Sequence, residues 1–109
     1  MAKRIDPARC CGVIVDVQDC FLSKLDAGRR AAILAGTRDF VRLLGRLAIP
    51  VIVTLEKPVE ANGSLPPEIA AAMTGISQTF EKSFFDLSRE PRISGAMAGL
   101  GRNQAVIAG

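Results

Sequence analysis

The stretch Cys11-Gly12-Val13-Ile14-Val15-Asp16-Val17 decides how this chain folds. It is short, nearly continuously apolar and rich in β-branched side chains, which crowd a helix but pack well on a pleated surface. An apolar run without polar alternation is the pattern of a strand buried on both faces, as in a parallel sheet covered by helices. Pro50-Val51-Ile52-Val53-Thr54-Leu55 and Gln104-Ala105-Val106-Ile107-Ala108-Gly109 repeat it. Between the first two, the spacing predicts a helix from near Arg29 to Ala48, with Ile33, Phe40, Leu44 and Leu47 on one stripe and Thr37 and Val41 beside it. Asp26 is placed to cap its start, and Ala48-Ile49-Pro50 stops it, because the residue before a proline is pushed to extended backbone.

Strand, crossover helix and strand in that order form a βαβ unit, whose right-handed crossover sets the strands parallel. The class is therefore α/β, a Rossmann-like parallel sheet flanked by helices on both faces. Lys57 to Pro67, with Pro58, Asn62, Gly63, Pro66 and Pro67, reads as a surface loop bordering the site. A short helix at Pro67 to Met73, a third strand near Gln78 to Lys82, and a helix marked by Ile93, Met97 and Leu100 follow, with Ser88 as a candidate N-cap. The fourth strand at Gln104–Gly109 would be an apolar sheet edge, so residues 1–109 are expected to be the N-terminal portion of a single domain, incomplete in this chain. The remainder of the domain or a second chain is the expected partner.

The composition narrows the function classes. The chain has 109 residues, 49% of them hydrophobic and 23% charged, which fits one globular, soluble domain and not intrinsic disorder. No apolar run reaches the roughly 18 residues of a membrane span, and no signal core follows Met1 to Arg9, so a cytoplasmic protein is expected. The net charge is +3 and the pI about 9.1, but the chain has no Trp, no Tyr and five Phe. It lacks a base-stacking surface, and Arg29, Arg30, Arg38, Arg42 and Arg46 are spaced like a solvated helix face, so no nucleic-acid partner is expected. Three cysteines without metal-ligand spacing and the absence of histidine speak against a disulfide framework, a zinc site and a Cys-His or Ser-His-Asp pair. Proton transfer falls to Asp, Glu, Lys or Cys.

Asp16 lies at the carboxyl end of the first strand, where open α/β sheets bind their ligands. A carboxylate on a buried strand is costly unless paired, and partial desolvation suits it to general-base work; the alternative is that it caps the next turn. Lys82 ends the third strand, so cation and acid could meet above the sheet; its alternative is a surface lysine. Asp19 and Glu81 are expected in solvent. Cys20 is read as a small apolar packing group, and Cys10 and Cys11 begin the first strand, at the end away from the site.

These residues resemble the isochorismatase-like cysteine hydrolases, which include nicotinamidases and related amidohydrolases. The resemblance rests on Val13-Ile14-Val15-Asp16-Val17-Gln18-Asp19-Cys20-Phe21, similar to the family's strand-one pattern, and continues through Ile49 to Thr54, Lys82 and the closing Ala105 to Gly109. It implies an Asp-Lys-Cys triad in which Asp16 takes the thiol proton and Lys82 stabilises the charged pair. The cysteine would lie beyond residue 109, so this chain alone is expected to be inactive. Phe21, which closes the strand-one pattern, is the expected substrate-binding residue.

Nicotinamidases hold a divalent ion through Asp and His residues after strand two. Here Leu55-Glu56-Lys57 stand there, so neither metal nor cofactor is expected. The resemblance thus implies hydrolysis of a C–N, amide-type bond in a small molecule, in a homo-oligomer. A vinyl-ether hydrolase lacking the cysteine and a catalytically silent scaffold of the same fold remain as alternatives. A phosphoacceptor domain is disfavoured, since Asp16 and Asp19 are not the adjacent acids magnesium requires.

Overall fold

The computed structural model describes residues 4–73, 77–83 and 89–109. A 3-10 turn at Pro7–Arg9 leads into β1 (Cys10–Val15), followed by α1 (Asp19–Leu22), α2 (Ala27–Arg46), β2 (Val51–Glu56), α3 (Val59–Asn62), α4 (Pro67–Ala72), β3 (Ser77–Lys82), α5 (Pro91–Gly99) and β4 (Gln104–Ala108). The four strands form one sheet in the order β3-β2-β1-β4, and every neighbouring pair is parallel. This is the expected α/β architecture.

The chain steps from β1 to β2 to β3 in one direction and then returns to place β4 on the other side of β1. That reversal makes the carboxyl end of β1 a topological switch point, where a crevice opens between diverging connections. The right-handed crossover rule carries α2 and α4 over one face and α5 over the other. Consistent with this, Cys10, Ile14, Val51, Val53 and Leu55 join Val41 and Leu44 of α2 and Ile69 and Ala72 of α4 in one core cluster. Ile93 of α5 is buried outside that cluster. Gly12 faces α2 so closely that a Cβ there would collide with the Leu44 side chain. The two-residue strand period explains why one short run fills both faces.

The stripe on α2 is rotated from the expected one. Thr37, Val41 and Leu44 are the buried residues, whereas Ile33 and Leu47 are 38% and 45% exposed. Hydrophobicity alone placed Ile33 and Leu47 inward. The sheet instead selects the line through Thr37, whose small side chain sits over the strands. Asp26 does cap the helix, accepting from the Arg29 N–H at 2.9 Å.

The helix also stops earlier than Ala48, and by a different device. Ile49 N–H donates to the Leu44 carbonyl at 2.9 Å and Ala48 N–H to Gly45 at 3.1 Å, with Ala48 at φ 55°. This is a Schellman ending, in which the residue past the cap adopts the left-handed conformation usually taken by glycine. An alanine there costs roughly 1 kcal/mol. Ala48→Gly is therefore expected to stabilise the protein by up to about 1 kcal/mol, read as a higher urea midpoint at unchanged slope. An unchanged or lower midpoint would contradict the assignment.

Lys57 to Pro67 is not wholly irregular, because α3 makes one helical turn within it. Asn62 N–H reaches the Pro58 carbonyl at 2.9 Å and Gly63 N–H the Val59 carbonyl at 2.8 Å. Gly63, at φ 94°, ends the turn in a conformation that only glycine takes without strain. The breakers in this segment thus bound a turn; they do not abolish it. Ser88, the candidate cap of α5, lies outside the described residues. β4 is an edge of the described sheet, and its Ile107 is 65% exposed.

Candidate active site

At the end of β1 the backbone turns sharply through Asp16, whose φ is 52°. Aspartate tolerates this left-handed geometry better than most residues, because its short polar side chain bonds locally. The Asp16 N–H still donates to the Thr54 carbonyl at 3.0 Å. The turn delivers the carboxylate above the carboxyl ends of the neighbouring strands, at the switch point.

Both carboxylate oxygens are held. Oδ1 accepts from the Thr54 hydroxyl at 3.0 Å, and Oδ2 lies 2.8 Å from the Lys82 Nζ. Lys82 is the last residue of β3, two strands from β1, and β2 lies between them. Two interstrand spacings are roughly 9.6 Å, a gap that only a long side chain can bridge. A lysine at the end of β3 and an aspartate at the end of β1 are thus matched to each other across β2, and Thr54 of β2 supports the junction from below.

The two charges are not equally placed. The Lys82 side chain is 0% exposed, whereas that of Asp16 is 15% exposed. The ammonium is sealed inside and compensated by the carboxylate, so the accessible part of the pair is the acid. An incoming proton donor would meet Asp16, with Lys82 behind it.

Gln18 organises the same corner. It is fully buried, its Oε1 accepts from the Glu56 N–H at 2.8 Å, and its Nε2 donates to the carbonyls of Glu56 at 3.2 Å and Gly63 at 2.8 Å. Asn62 adds a bond from its Nδ2 to the same Glu56 carbonyl at 3.1 Å. One amide thereby ties the turn after Asp16 to the end of β2 and to the segment after α3, which places that segment beside the site. Sequence reading assigned no role to Gln18 or Thr54. For Thr54 the signal is a polar residue within an otherwise apolar run, since a buried polar group must find partners; Gln18, between Asp16 and Asp19, carries no such mark.

Phe21 sits on α1, half-buried, with the Lys24 ammonium 5.7 Å from its ring centroid. The bonds that converge on Asp16 do not include it. Asp19 and Glu81 are exposed. Among the described residues no group of three His, Cys, Asp or Glu side chains could hold a metal ion. No helix among them is long and apolar enough to cross a membrane.

All three cysteines are free thiols; Cys10 and Cys11 are buried and Cys20 is half-buried on α1. Burial, reinforced by neighbouring Cys10, pushes the Cys11 thiol above its ordinary value of 9.0, and Arg102 only partly offsets this. A raised thiol value in the folded state supports stability below the unfolded value and loses that support as pH rises. Stability is therefore expected to decline above about pH 9, and at pH 8 a thiol-alkylating reagent should label Cys20 before Cys10 and Cys11. Mapping the first alkylated site by mass checks the order; early labelling of Cys11 would contradict it.

The chain matches no protein-family model, and a search of curated proteins gives no match. Solved structures do match. The MAR1 ribonuclease of Caenorhabditis elegans superposes with a TM-score of 0.82 at 21% identity, over 96% of this chain and 52% of that one. YcaC from Pseudomonas aeruginosa, determined with hexane-2,5-diol and covalent acrylamide, gives 0.78 at 21% identity, over 100% of this chain and 54% of that one. YcaC from Escherichia coli, an octameric hydrolase of unknown specificity, gives 0.76 at 21% identity, over 100% of this chain and 53% of that one. The parallel α/β fold expected from the sequence is the one these structures share. The chain spans about half the length of the structures it matches.

Proposed function

We propose that this chain carries the acid-base part of a hydrolase site that cleaves a C–N, amide-type bond of a small molecule through an Asp-Lys-Cys triad. Asp16 is the general base, Lys82 its charge partner, and the attacking thiol comes from residues beyond Gly109. The observation that carries this reading is the 2.8 Å pair between Lys82 and Asp16, assembled across β2 at the switch point of the sheet. The strand register supports it. Ile14 pairs with Ala108, so continuing β4 brings the position after Gly109 level with Asp16. Gly109 already packs against the Val15 carbonyl, where a Cβ would collide.

The chemistry follows from that placement. The carboxylate of Asp16 takes the thiol proton, and the thiolate attacks the substrate carbonyl carbon. The C–N bond breaks as the amine leaves with the proton returned from Asp16, which leaves an acyl-thioester. Water then adds to the thioester, giving its proton to Asp16, and the departing thiolate takes that proton back. Lys82 pairs with the carboxylate and holds it in place between proton transfers, and Phe21 contributes an apolar wall for the substrate. No metal or other cofactor enters this reading.

The same reading places the protein in the cytoplasm as a homo-oligomer. Three free thiols support a reducing compartment. The exposed Ile107 on β4 and the octameric state given for the Escherichia coli YcaC support association.

The test is ammonia release from a panel of small primary amides by the intact protein. Turnover that disappears when a cysteine beyond Gly109 is alkylated is the expected result. Absence of release from every amide, or release that survives complete alkylation, would overturn the reading.

A further inference from the structure

Thr54 is fully buried and holds Asp16 twice, through its carbonyl to the Asp16 N–H and through its hydroxyl to Oδ1, each at 3.0 Å. We propose that Thr54 is a positioning residue that keeps Asp16 aimed for proton transfer; this rests on the hydrolase reading above. Its hydroxyl can donate to a carboxylate, and the bond fixes the direction in which Oδ1 points. Lys82 serves the other oxygen, so the carboxylate is gripped from β2 and from β3. Asp16 leaves β1 with left-handed backbone at φ 52°, and the groups it bonds hold its side chain there.

A single donor cannot do the same work. With Lys82 alone, the carboxylate could swing about its pairing with the ammonium while retaining the ion pair. Thr54 removes that freedom, because it is rooted in β2, whose register with β1 fixes Val15 opposite Thr54. Proton transfer is sensitive to small misplacements of the base, so the hydroxyl acts on the chemical step more than on substrate binding.

The variants are Thr54→Val, which keeps the shape and removes the hydroxyl, and Thr54→Ser, which keeps the hydroxyl. In the intact protein, Thr54→Val is expected to lower kcat for amide hydrolysis roughly tenfold to a hundredfold at nearly constant KM. Thr54→Ser should restore kcat. The NMR signal of the Asp16 carboxyl carbon at neutral pH provides a readout that does not need turnover; it should move in Thr54→Val and return in Thr54→Ser. An unchanged carboxyl signal and kcat in Thr54→Val, a loss carried by KM and not kcat, or a serine variant as impaired as the valine one, would overturn the inference. If the carboxyl signal shifts as expected while no amide is hydrolysed, Thr54 positions Asp16 and it is the hydrolase reading that fails.

Discussion

Replacing Lys82 by methionine is expected to destabilise the protein by about 3–5 kcal/mol, the usual cost of removing one partner from a buried ion pair. The cation is wholly withdrawn from water, so the substitution removes a charge that the surrounding side chains have been built to enclose. Asp16 keeps the Thr54 hydroxyl, and because its side chain is 15% exposed, water can recover part of its solvation. The loss should therefore fall toward the lower end of that range. The double variant Asp16→Asn with Lys82→Met should be less destabilised than the sum of the two single variants, since neither leaves an uncompensated charge when the other is also made. Urea unfolding of the four proteins measures the coupling directly. Strict additivity would mean that the 2.8 Å contact contributes nothing to the folded state.

Asp16→Asn is expected to lower kcat/KM for amide hydrolysis by about 10²–10⁴, the range that general acid-base catalysis contributes. Asparagine has nearly the same shape, and its carbonyl oxygen can still accept from Thr54 or Lys82, but it removes a counter-charge from a fully buried ammonium, so a loss of stability is expected beside the loss of activity. The amide cannot take a proton from a thiol at neutral pH. The chain contains no histidine to stand in for it. Activity within a few-fold of the unaltered protein would remove Asp16 from the mechanism. Circular dichroism on the same sample separates that outcome from a failure to fold.

Much of the fold was legible because its decisive residues act locally. The runs at Val13–Val15, Val51–Val53 and Val106–Ile107 announce strands through β-branching, and Pro50 bounds the crossover between the first two. The α2 boundary and its inward face were less legible. Ala48 takes a left-handed conformation that sequence preference assigns to glycine, and the inward line runs through Thr37 because the sheet, not the hydrophobicity of Ile33 or Leu47, decides which side faces in. The short turn of α3 was hidden by the breakers that flank it.

The site divides along the same line. Asp16 and Lys82 were readable as charged residues at strand ends, where an α/β sheet presents its chemistry. That they meet depends on the order β3-β2-β1-β4, which no local pattern states. Gln18 and Thr54 were harder still. Each is an uncharged polar residue whose importance lies in the partners that tertiary structure supplies: Glu56 and Gly63 for Gln18, and Asp16 for Thr54.

The most direct measurement is to treat the intact protein with acrylamide, which forms a covalent complex in the Pseudomonas aeruginosa YcaC, and to map the modified cysteine by mass in the unaltered protein and in Asp16→Asn. A thiol activated by Asp16 predicts rapid modification at a cysteine beyond Gly109 that slows markedly in the Asp16→Asn protein. Modification confined to Cys20, Cys10 or Cys11, or equally fast in both proteins, would contradict it.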